Sequence, residues 1–272
     1  MSPEPTPVAV DSVEDPRVAT FGDVRSGHRL RERGLFVVES RHAVRALLAA
    51  SRFRVRTLWV TAEAWSGLAP LVAAAPDAIE VFVSPRELFP DVTGFAVHRG
   101  CVALAERVAE PGIEELPSGA RYVVALERLA DPANLGSAFR NAQAFGADAV
   151  VLAPGGADPL YRKCVRVSTG AALRVPTLRS RDWPADLGRL ADAGFAVLAA
   201  VAAPDATDIA HFGRTRPIPE RVCLVLGCED SGLSAAAISC ADECVTVRMA
   251  RGFDSINVAT ASAILLHRLS RV

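Results

Sequence analysis

Three segments in the C-terminal half of the chain carry the polar side chains best suited to chemistry. The first spans residues 131–147, DPANLGSAFRNAQAFGA. Its pattern predicts a helix over residues 135–145, capped by Asn134 and stopped by Gly146. Bare amides at the start of this helix, together with Arg140, suit a phosphate or another anionic substrate. The ordinary alternative is a surface arginine on an amphipathic helix.

The second segment, LVLGCEDSGLS over residues 224–234, follows a predicted buried strand. Gly227 and Gly232 indicate backbone that bends sharply or lies close to a ligand, although a tight strand-to-helix turn would also explain them. Glu229 follows the strand end, where a carboxylate can bind a hydroxyl or an amine. The segment is neither a GxGxxG fingerprint nor a P-loop, so dinucleotide and nucleoside triphosphate binding lose support.

The third segment, residues 245–269, begins as a strand that ends at Met249. Ser255 is predicted to cap a nearly all-apolar helix with Asn257 in its first turn, and both could be purely structural. Such a helix requires burial on most sides, which predicts a core position or an oligomer interface.

A fourth segment, YRKCVRVSTGAALRVP over residues 161–176, clusters basic side chains beside Ser168 and Gly170. It is either a solvated helix face or a phosphate-binding strip. The histidines and the six cysteines show no metal-ligand spacing, so we expect no metal. Unpaired cysteines and the lack of a signal peptide or an apolar run of about 20 residues predict a cytoplasmic protein that does not enter a membrane.

Alternating strand and helix patterns position these segments and predict an α/β protein. In the first half, strands are expected at residues 35–38, 55–60, 79–83 and 100–108, with helices at 40–50 and 64–74, giving a small domain with a mainly parallel sheet. In the second half, continuous apolar runs predict buried parallel strands at residues 122–126, 149–152, 196–201, 222–227 and 244–247. Ligands of such sheets bind at the carboxyl ends of the strands, after Leu126, Leu226 and Val247.

Composition sets the predicted domain bounds. The chain has 272 residues, of which half are hydrophobic and 22% are charged, so it can fold around proper cores. The proline-rich, acidic residues 1–20 are predicted to be a disordered tail. A first domain follows over residues 21–108, and a linker with two prolines and two glycines spans residues 109–120. The second domain spans residues 121–272.

Taken together and in order, these motifs resemble the SpoU (TrmH) family of RNA ribose methyltransferases, within the knotted SPOUT class. The matching residues of the four motifs are Asn134, Gly136, Arg140, Ala142, Phe145 and Gly146; Leu226, Gly227, Glu229, Gly232 and Leu233; Val247, Met249, Ser255, Ile256, Asn257 and Val258; and Arg166, Ser168 and Gly170. Residues 25–107 resemble, less specifically, the L30e-like substrate-binding domain common in this family.

The resemblance implies a C-terminal SPOUT domain with a trefoil knot, homodimerisation, and S-adenosylmethionine as the methyl donor. Gly227, Val247 and Ile256 would contact this donor through their main chain, and Leu226 and Met249 would wall its pocket. The reaction would be methyl transfer to a ribose 2′-hydroxyl.

In that reaction, Arg140 would hold the neighbouring phosphate and stabilise alkoxide charge, because an arginine is essentially never deprotonated. The orienting residues would be Asn134, Glu229, Ser255 and Asn257. Two positions depart from the family pattern: Arg248 replaces the usual proline and places a charge beside the donor pocket, and Ile256 replaces leucine.

The architecture favours ribosomal RNA as substrate. Transfer RNA is the alternative, and a non-catalytic RNA-binding assembly factor is a third interpretation that Arg248 mildly supports.

The net charge of −1 conceals a polarised distribution. Residues 21–60 hold nine arginines against three carboxylates, a net charge of +6, whereas residues 61–120 carry −6. RNA phosphates are therefore expected to contact Arg25, Arg29, Arg31 and Arg33, with Arg166 as a further RNA-binding residue.

Overall fold

The computed structural model describes residues 6–25, 27–49, 52–97, 100–250 and 254–270. The described chain forms two compact units. Unit 1 contains the residues up to Ala109 together with Leu160–Arg174, and unit 2 contains Glu110–Pro159 together with the residues from Val175 onward. The chain therefore leaves unit 1, returns to it for fifteen residues, and leaves it again.

The described residues form twelve strands and eleven α-helices. The strands are β1 (Val8–Ala9), β2 (Leu35–Glu39), β3 (Val55–Val60), β4 (Glu80–Val83), β5 (Cys101–Glu106), β6 (Tyr122–Leu126), β7 (Ala149–Leu152), β8 (Thr177–Arg179), β9 (Ala196–Ala200), β10 (Thr207–Asp208), β11 (Val222–Leu226) and β12 (Glu243–Thr246). The helices are α1 (Gly27–Glu32), α2 (Arg41–Ala49), α3 (Ala62–Ser66), α4 (Ala69–Ala73), α5 (Leu88–Thr93), α6 (Pro132–Ala144), α7 (Arg162–Val167), α8 (Ala171–Arg174), α9 (Ala185–Asp192), α10 (Ala235–Ser239) and α11 (Val258–Leu269). The predicted α/β class is confirmed.

The sheet of unit 1 has the order β1-β4-β3-β5-β2 and is mixed rather than mainly parallel. Strand β5 runs antiparallel to both β2 and β3, whereas β1, β4 and β3 are parallel. Alternate residues of the strands enter different cores: Phe36 and Val38 face one cluster, and Val37 faces the other. Both faces of this sheet are therefore covered, which is why its strands lack a polar side.

The prediction of a disordered tail over residues 1–20 is wrong for the described part of that segment. Residues Val8–Ala9 pair with β4, and Val10 and Val18 are fully buried. Pro7 directly precedes β1, and Pro16 lies between Val10 and Val18. Neither prevents these apolar residues from reaching the core, because an edge strand tolerates proline nearby.

The segment Leu160–Arg174 also departs from the predicted arrangement, which assigned it to the second domain. Leu160, Val165 and Leu173 join the core cluster of unit 1 that contains α2 and β2 residues. Ser168 is buried and its hydroxyl donates to the carbonyl of Val165, so its role is structural. The basic residues of the same segment consequently belong to unit 1.

The sheet of unit 2 has the order β10-β12-β9-β11-β6-β7-β8, and every neighbouring pair in it is parallel. The central strands β6 and β11 are buried at every residue, as their uninterrupted apolar sequences predict. The edge strand β8 is only three residues long and was not predicted. Helix α11 packs against α6 and β11, so the apolar C-terminal helix lies on the sheet.

Candidate functional site

A cavity of about 510 Å³ opens at the carboxyl ends of β9, β11 and β12 in unit 2. Its walls come mainly from residues 226–233, from residues 245–247 with Met249, and from residues 255–258, and residues 200–202 contribute as well. All five predicted cofactor-binding residues line it, namely Leu226, Gly227, Val247, Met249 and Ile256. Glu229, Ser255 and Asn257 line the same cavity and add polar groups.

The turn after β11 explains why residue 227 must be glycine. A Cβ built on Gly227 would lie 2.2 Å from the carbonyl carbon of Gly232 and 2.3 Å from the nitrogen of Leu233. The turn is closed by backbone hydrogen bonds between Cys228 and Gly232, of 3.2 and 3.0 Å. The glycine therefore allows close backbone packing that shapes the cavity floor.

Asn134 connects the three predicted chemical segments. Its side-chain amide donates to Oε1 of Glu229 at 2.8 Å, and its Oδ1 accepts from Nδ2 of Asn257 at 3.0 Å. The three side chains come from the first turn of α6, the turn after β11 and the start of α11. These residues therefore form one hydrogen-bonded chain beside the cavity.

The start of α6 differs from the prediction that Asn134 caps it. The N-cap is Asp131, whose side chain accepts from the amide of Ala133 at 2.9 Å, and Pro132 occupies the first helical position. Proline suits that position because it has no amide hydrogen to leave unpaired. Asn134 is thereby released from capping, which leaves its side chain available to Glu229 and Asn257. The predicted stop at Gly146 agrees with its left-handed conformation, φ 73°.

The start of α11 also differs, because the predicted cap Ser255 lies outside the helix. Asn257 is the N-cap, and its Oδ1 accepts from the amide of Ala259 at 2.8 Å. One side chain thus caps α11 and binds Asn134 at the same time. Ser255 instead lines the cavity.

Arg140 lies on the exposed side of α6, because Ala138, Phe139 and Ala142 on the other sides are buried. Within the described part of the chain its guanidinium has no hydrogen-bond or ion-pair partner, and Arg140 does not line the cavity. It follows Asn134 by six residues, about 9 Å along the helix axis. The guanidinium is thus free to bind an anionic ligand.

Comparison with known proteins decides the family. Residues 121–267, more than half of the chain, match the model of the SpoU rRNA Methylase family. The chain belongs to this family. The match includes every residue of the cavity and of the Asn134 chain. The family predicted from the motifs, and the RNA methyltransferase activity predicted with it, are confirmed.

Two relatives and one solved structure extend the likeness beyond the matched region. An uncharacterized tRNA/rRNA methyltransferase of Mycobacterium tuberculosis (strain H37Rv) is 38% identical over 95% of this chain and 90% of its own length. The 23S rRNA (guanosine-2′-O-)-methyltransferase RlmB of Photobacterium profundum is 29% identical over 85% of this chain and 95% of its own. An AdoMet-bound rRNA methyltransferase of Sinorhizobium meliloti shares the fold, with a TM-score of 0.79 and 24% identity over 96% of this chain and 97% of its own.

Arg248, which replaces a proline of the SpoU pattern, does not point its charge into the cavity. Its Nη1 donates to the carbonyl oxygen of Pro204 at 3.0 Å, and its side chain is exposed. Val247 and Met249 on either side line the cavity, whereas Arg248 does not. The charge of Arg248 therefore lies outside the cavity wall.

Three residues of this SpoU site were not singled out from the sequence. Glu127, buried directly after β6, accepts from the indole of Trp183 at 2.9 Å and from the amide of Ser234 at 2.8 Å. Asn141 donates to the carbonyl of Ala259 and the hydroxyl of Ser262, at 2.8 and 2.7 Å. Both fix loops or helices around the cavity. An acidic residue directly after an apolar strand was the one available signal for Glu127.

The third, Cys228, lines the cavity with its thiol 3.0 Å from the hydroxyl of Ser231. The hydrogen bond from that hydroxyl lowers the pKa of the Cys228 thiol below its ordinary value. Burial has the opposite effect on Cys101 and Cys223, whose pKa it raises to about 12. Cys228 therefore differs chemically from the core cysteines.

The predicted RNA-binding arginines of unit 1 are only partly engaged. Arg25 donates to the carbonyl of Asp91 at 2.8 Å, whereas Arg29 and Arg33 lie 3.8 and 2.7 Å from the carboxylate of Asp23. Arg29 and Arg33 keep about 71% and 52% of their side chains exposed, and Arg31 is exposed as well. Arg166 is bound to Glu39. Contact of these arginines with RNA stays a prediction.

No group of three or more His, Cys, Asp or Glu side chains suited to a metal ion occurs among the described residues. In the same part of the chain, no helix is both long enough and apolar enough to cross a bilayer.

Proposed function

We propose that this SpoU family member transfers the methyl group of S-adenosylmethionine to a ribose 2′-hydroxyl of ribosomal RNA. The observation that carries the proposal is the convergence of three distant segments on one cavity, with the hydrogen-bonded chain of Asn134, Glu229 and Asn257 at its side. A merely structural role would not require polar side chains from three elements to meet beside a cavity whose walls combine apolar and polar residues.

The residues of the cavity fit the donor chemically. A volume of about 510 Å³ lies within the range of small-molecule sites. Leu226, Val247 and Ile256 offer the apolar surface that a purine ring needs, and Glu229 and Ser255 offer groups that bind hydroxyls or an ammonium. S-adenosylmethionine would supply a methyl group on a sulfonium, which an oxygen nucleophile can attack in line.

Arg140 would act on the RNA rather than on the donor. Its guanidinium is exposed and unpartnered among the described residues, and it keeps its charge at every relevant pH. A fixed positive charge beside the attacking ribose holds the adjacent phosphate and stabilises the oxygen as its proton leaves. The same charge makes Arg140 unsuited to take that proton itself.

Asn134, Glu229 and Asn257 would position the reacting groups. Asn134 donates to Glu229 and accepts from Asn257, so the orientation of its amide is determined on both sides. The second carboxylate oxygen of Glu229, Oε2, accepts only a long hydrogen bond of 3.4 Å from the amide of Ala130 among the described residues. That oxygen is well suited to accept a hydrogen bond from a ligand hydroxyl. Ser255 would bind from the opposite wall.

Ribosomal RNA is the proposed substrate because RlmB, similar along nearly its whole length, is named for the 23S rRNA. The two-unit arrangement also argues for it, since unit 1 supplies an α/β domain with exposed arginines. The proposed site of action is the cytoplasm. The six free cysteines are in keeping with a reducing compartment.

Three finer features belong to the same proposal. Unit 2 would contain the trefoil knot of the SPOUT class. In support, α11 packs on α6, and the hydroxyl of Tyr122 in β6 donates to the carbonyl of Leu266 in α11 at 3.1 Å. Unit 1 would be the L30e-like RNA-binding domain. The protein would be a homodimer. In support, Ile264 of α11 is a large apolar side chain that is 40% exposed, and a partner subunit would cover it.

Transfer of a radiolabelled methyl group tests the proposal. Purified protein would be incubated with methyl-tritiated S-adenosylmethionine and either ribosomal or transfer RNA, and the label would be located by nuclease digestion. We expect label on a ribose of ribosomal RNA. Label on transfer RNA would contradict ribosomal RNA as the substrate. A protein that binds RNA but does not bind S-adenosylmethionine would instead be a non-catalytic assembly factor.

A further inference from the structure

A buried carboxylate in unit 1 holds two arginines of the basic segment 160–174. The side chain of Glu39, at the end of β2, is 1% exposed. Its Oε2 lies 3.2 Å from Nη1 of Arg162, and its Oε1 lies 3.1 Å from Nη1 of Arg166. Each carboxylate oxygen therefore has its own guanidinium partner.

This arrangement leaves a positive charge at the surface. One carboxylate faces two guanidinium groups, so the cluster carries a net charge of about +1. Arg162 is 28% exposed and Arg166 is 49% exposed, and each uses one of its nitrogens for Glu39. The guanidinium of Arg162 also lies 3.9 Å from the ring centroid of Phe95. Both groups are thus held in place with donors left over, which favours binding of an anion such as a phosphate.

An exposed aromatic residue directly precedes these arginines in the chain. Tyr161 directly precedes Arg162 and is 44% exposed, the only aromatic among the large exposed apolar side chains of the described chain. Gly27 of α1 backs the ring, since a Cβ built there would lie 3.3 Å from Cε2 of Tyr161. Within the described residues the hydroxyl has no hydrogen-bond partner. An exposed ring that is supported from behind offers a flat surface for another ring.

We propose that Tyr161, Arg162 and Arg166 form a platform that binds an unpaired nucleotide of the RNA substrate. The ring of Tyr161 stacks on the base, and the two guanidinium groups bind phosphates of the same strand. This inference rests on the proposed function, because it assumes that RNA is the substrate. It adds that the RNA near this surface is single-stranded, since a base within a helix cannot place its face on a protein ring.

The competing explanation is that the arginines only fasten α7 to unit 1. In that case their loss lowers stability, and Tyr161 is a bystander. The two explanations differ in one property, the preference for unpaired over paired RNA, because stacking requires an open base whereas general electrostatic attraction does not.

Binding of two RNA probes to the full-length protein, without methyl donor, distinguishes them. The probes are a fluorescein-labelled oligouridylate of about 12 nucleotides, a length within the usual range for single-strand sites, and an RNA duplex of equal length. We expect Tyr161→Ala to weaken oligouridylate binding about 10-fold and duplex binding less than 2-fold. Tyr161→Phe, which keeps the ring, should bind within about 2-fold of wild type.

The matched control for the arginines is Arg56→Gln. Arg56, in the central strand β3, is 57% exposed and paired with Glu106, which lies opposite Leu35 at the other end of β2 from Glu39. Arg166→Gln should weaken oligouridylate binding more than Arg56→Gln does. Thermal melting of each variant checks that the fold is intact.

Equal affinity of wild type and Tyr161→Ala for oligouridylate would overturn the platform, as would an equal loss on both probes. These outcomes are independent of the proposed function. A wild-type protein that methylates ribosomal RNA while Tyr161→Ala binds normally would refute the platform alone. A wild-type protein that binds no S-adenosylmethionine would refute the proposed function, whatever the probes show.

Discussion

The side-chain amide of Asn134 donates to Oε1 of Glu229 at 2.8 Å, although 95 residues separate them along the chain. Asn257, a further 28 positions on from Glu229, completes the chain by donating to Oδ1 of Asn134. Because these contacts join the starts of α6 and α11 to the turn after β11, they fix the positions of these three segments relative to one another.

Removal of the Asn134 side chain is expected to impair catalysis far more than folding. Asn134→Ala frees Glu229 and Asn257, so methyl transfer should fall about 10- to 100-fold through misplacement. The site is partly exposed, so stability should change by no more than about 1 kcal/mol. The matched control is Gln143→Ala, which removes an exposed amide from the same helix. Similar rates for the two variants would show that the hydrogen-bonded chain has no part in the reaction.

Addition of one methyl group at Gly227 is expected to close the cavity floor. Gly227→Ala places a Cβ within 2.2–2.5 Å of Gly232 and Leu233 backbone atoms, which should cost about 1–3 kcal/mol in unfolding free energy and abolish donor binding. Gly188→Ala in α9 meets no atom within 4 Å and should be neutral or stabilising by up to about 1 kcal/mol. Chemical denaturation and calorimetric titration with S-adenosylmethionine measure both effects. Unchanged donor affinity in Gly227→Ala would contradict this role.

Cys228 is expected to report donor binding through its reactivity. Its pKa is lowered by the hydrogen bond from Ser231, so the reactive thiolate forms at a lower pH than in an ordinary cysteine. Alkylation by iodoacetamide should begin at lower pH in wild type than in Ser231→Ala, and S-adenosylmethionine should slow it. Peptide mapping should find Cys101 and Cys223 unmodified, since burial raises their pKa to about 12. An alkylation rate of Cys228 that is the same with and without S-adenosylmethionine would show that the donor binds at another site.

The arginines before β2 are expected to set the salt dependence of RNA binding. Replacing Arg25, Arg29, Arg31 and Arg33 with glutamine should weaken binding, and each lost phosphate contact should reduce the slope of log K against log salt by about 0.7–0.9. Affinity for S-adenosylmethionine should not change. Arg54 and Arg56, replaced together, serve as the control. An unchanged slope in the variant with all four substitutions would show that these arginines do not contact RNA phosphates.

The parts of the fold that follow from local sequence were predicted closely. Strand β6 and strand β7 match their predicted bounds, because continuous apolar runs between turn residues have few other solutions in a parallel sheet. The predicted caps of α6 and α11, Asn134 and Ser255, are wrong, because Asp131 and Asn257 cap these helices. Asp131 and Asn134 are both residue types that cap helices. The local sequence does not show that the side chain of Asn134 instead binds Glu229 and Asn257, which are distant in the sequence.

The packing of residues 160–174 on unit 1 was likewise beyond sequence patterns. Leu160 precedes α7, Val165 lies in α7 and Leu173 lies in α8, and nothing in the local sequence indicates which core receives these apolar residues. For the site, the five residues that the motifs indicate as cofactor-binding all line the cavity, and their contact with the donor stays a prediction. Glu127 and Asn141 escaped notice because buried supporting residues carry no pattern of their own.

Mapping of ribose methylation tests the central claim most directly. Total RNA from a strain lacking the gene would be compared with RNA from the same strain carrying the wild-type protein or Arg140→Ala. We predict one 2′-O-methyl mark in ribosomal RNA that is missing from the deletion strain, restored by wild type, and reduced at least about 100-fold in rate of formation with Arg140→Ala. An identical set of ribose methylations in all three strains would contradict the account.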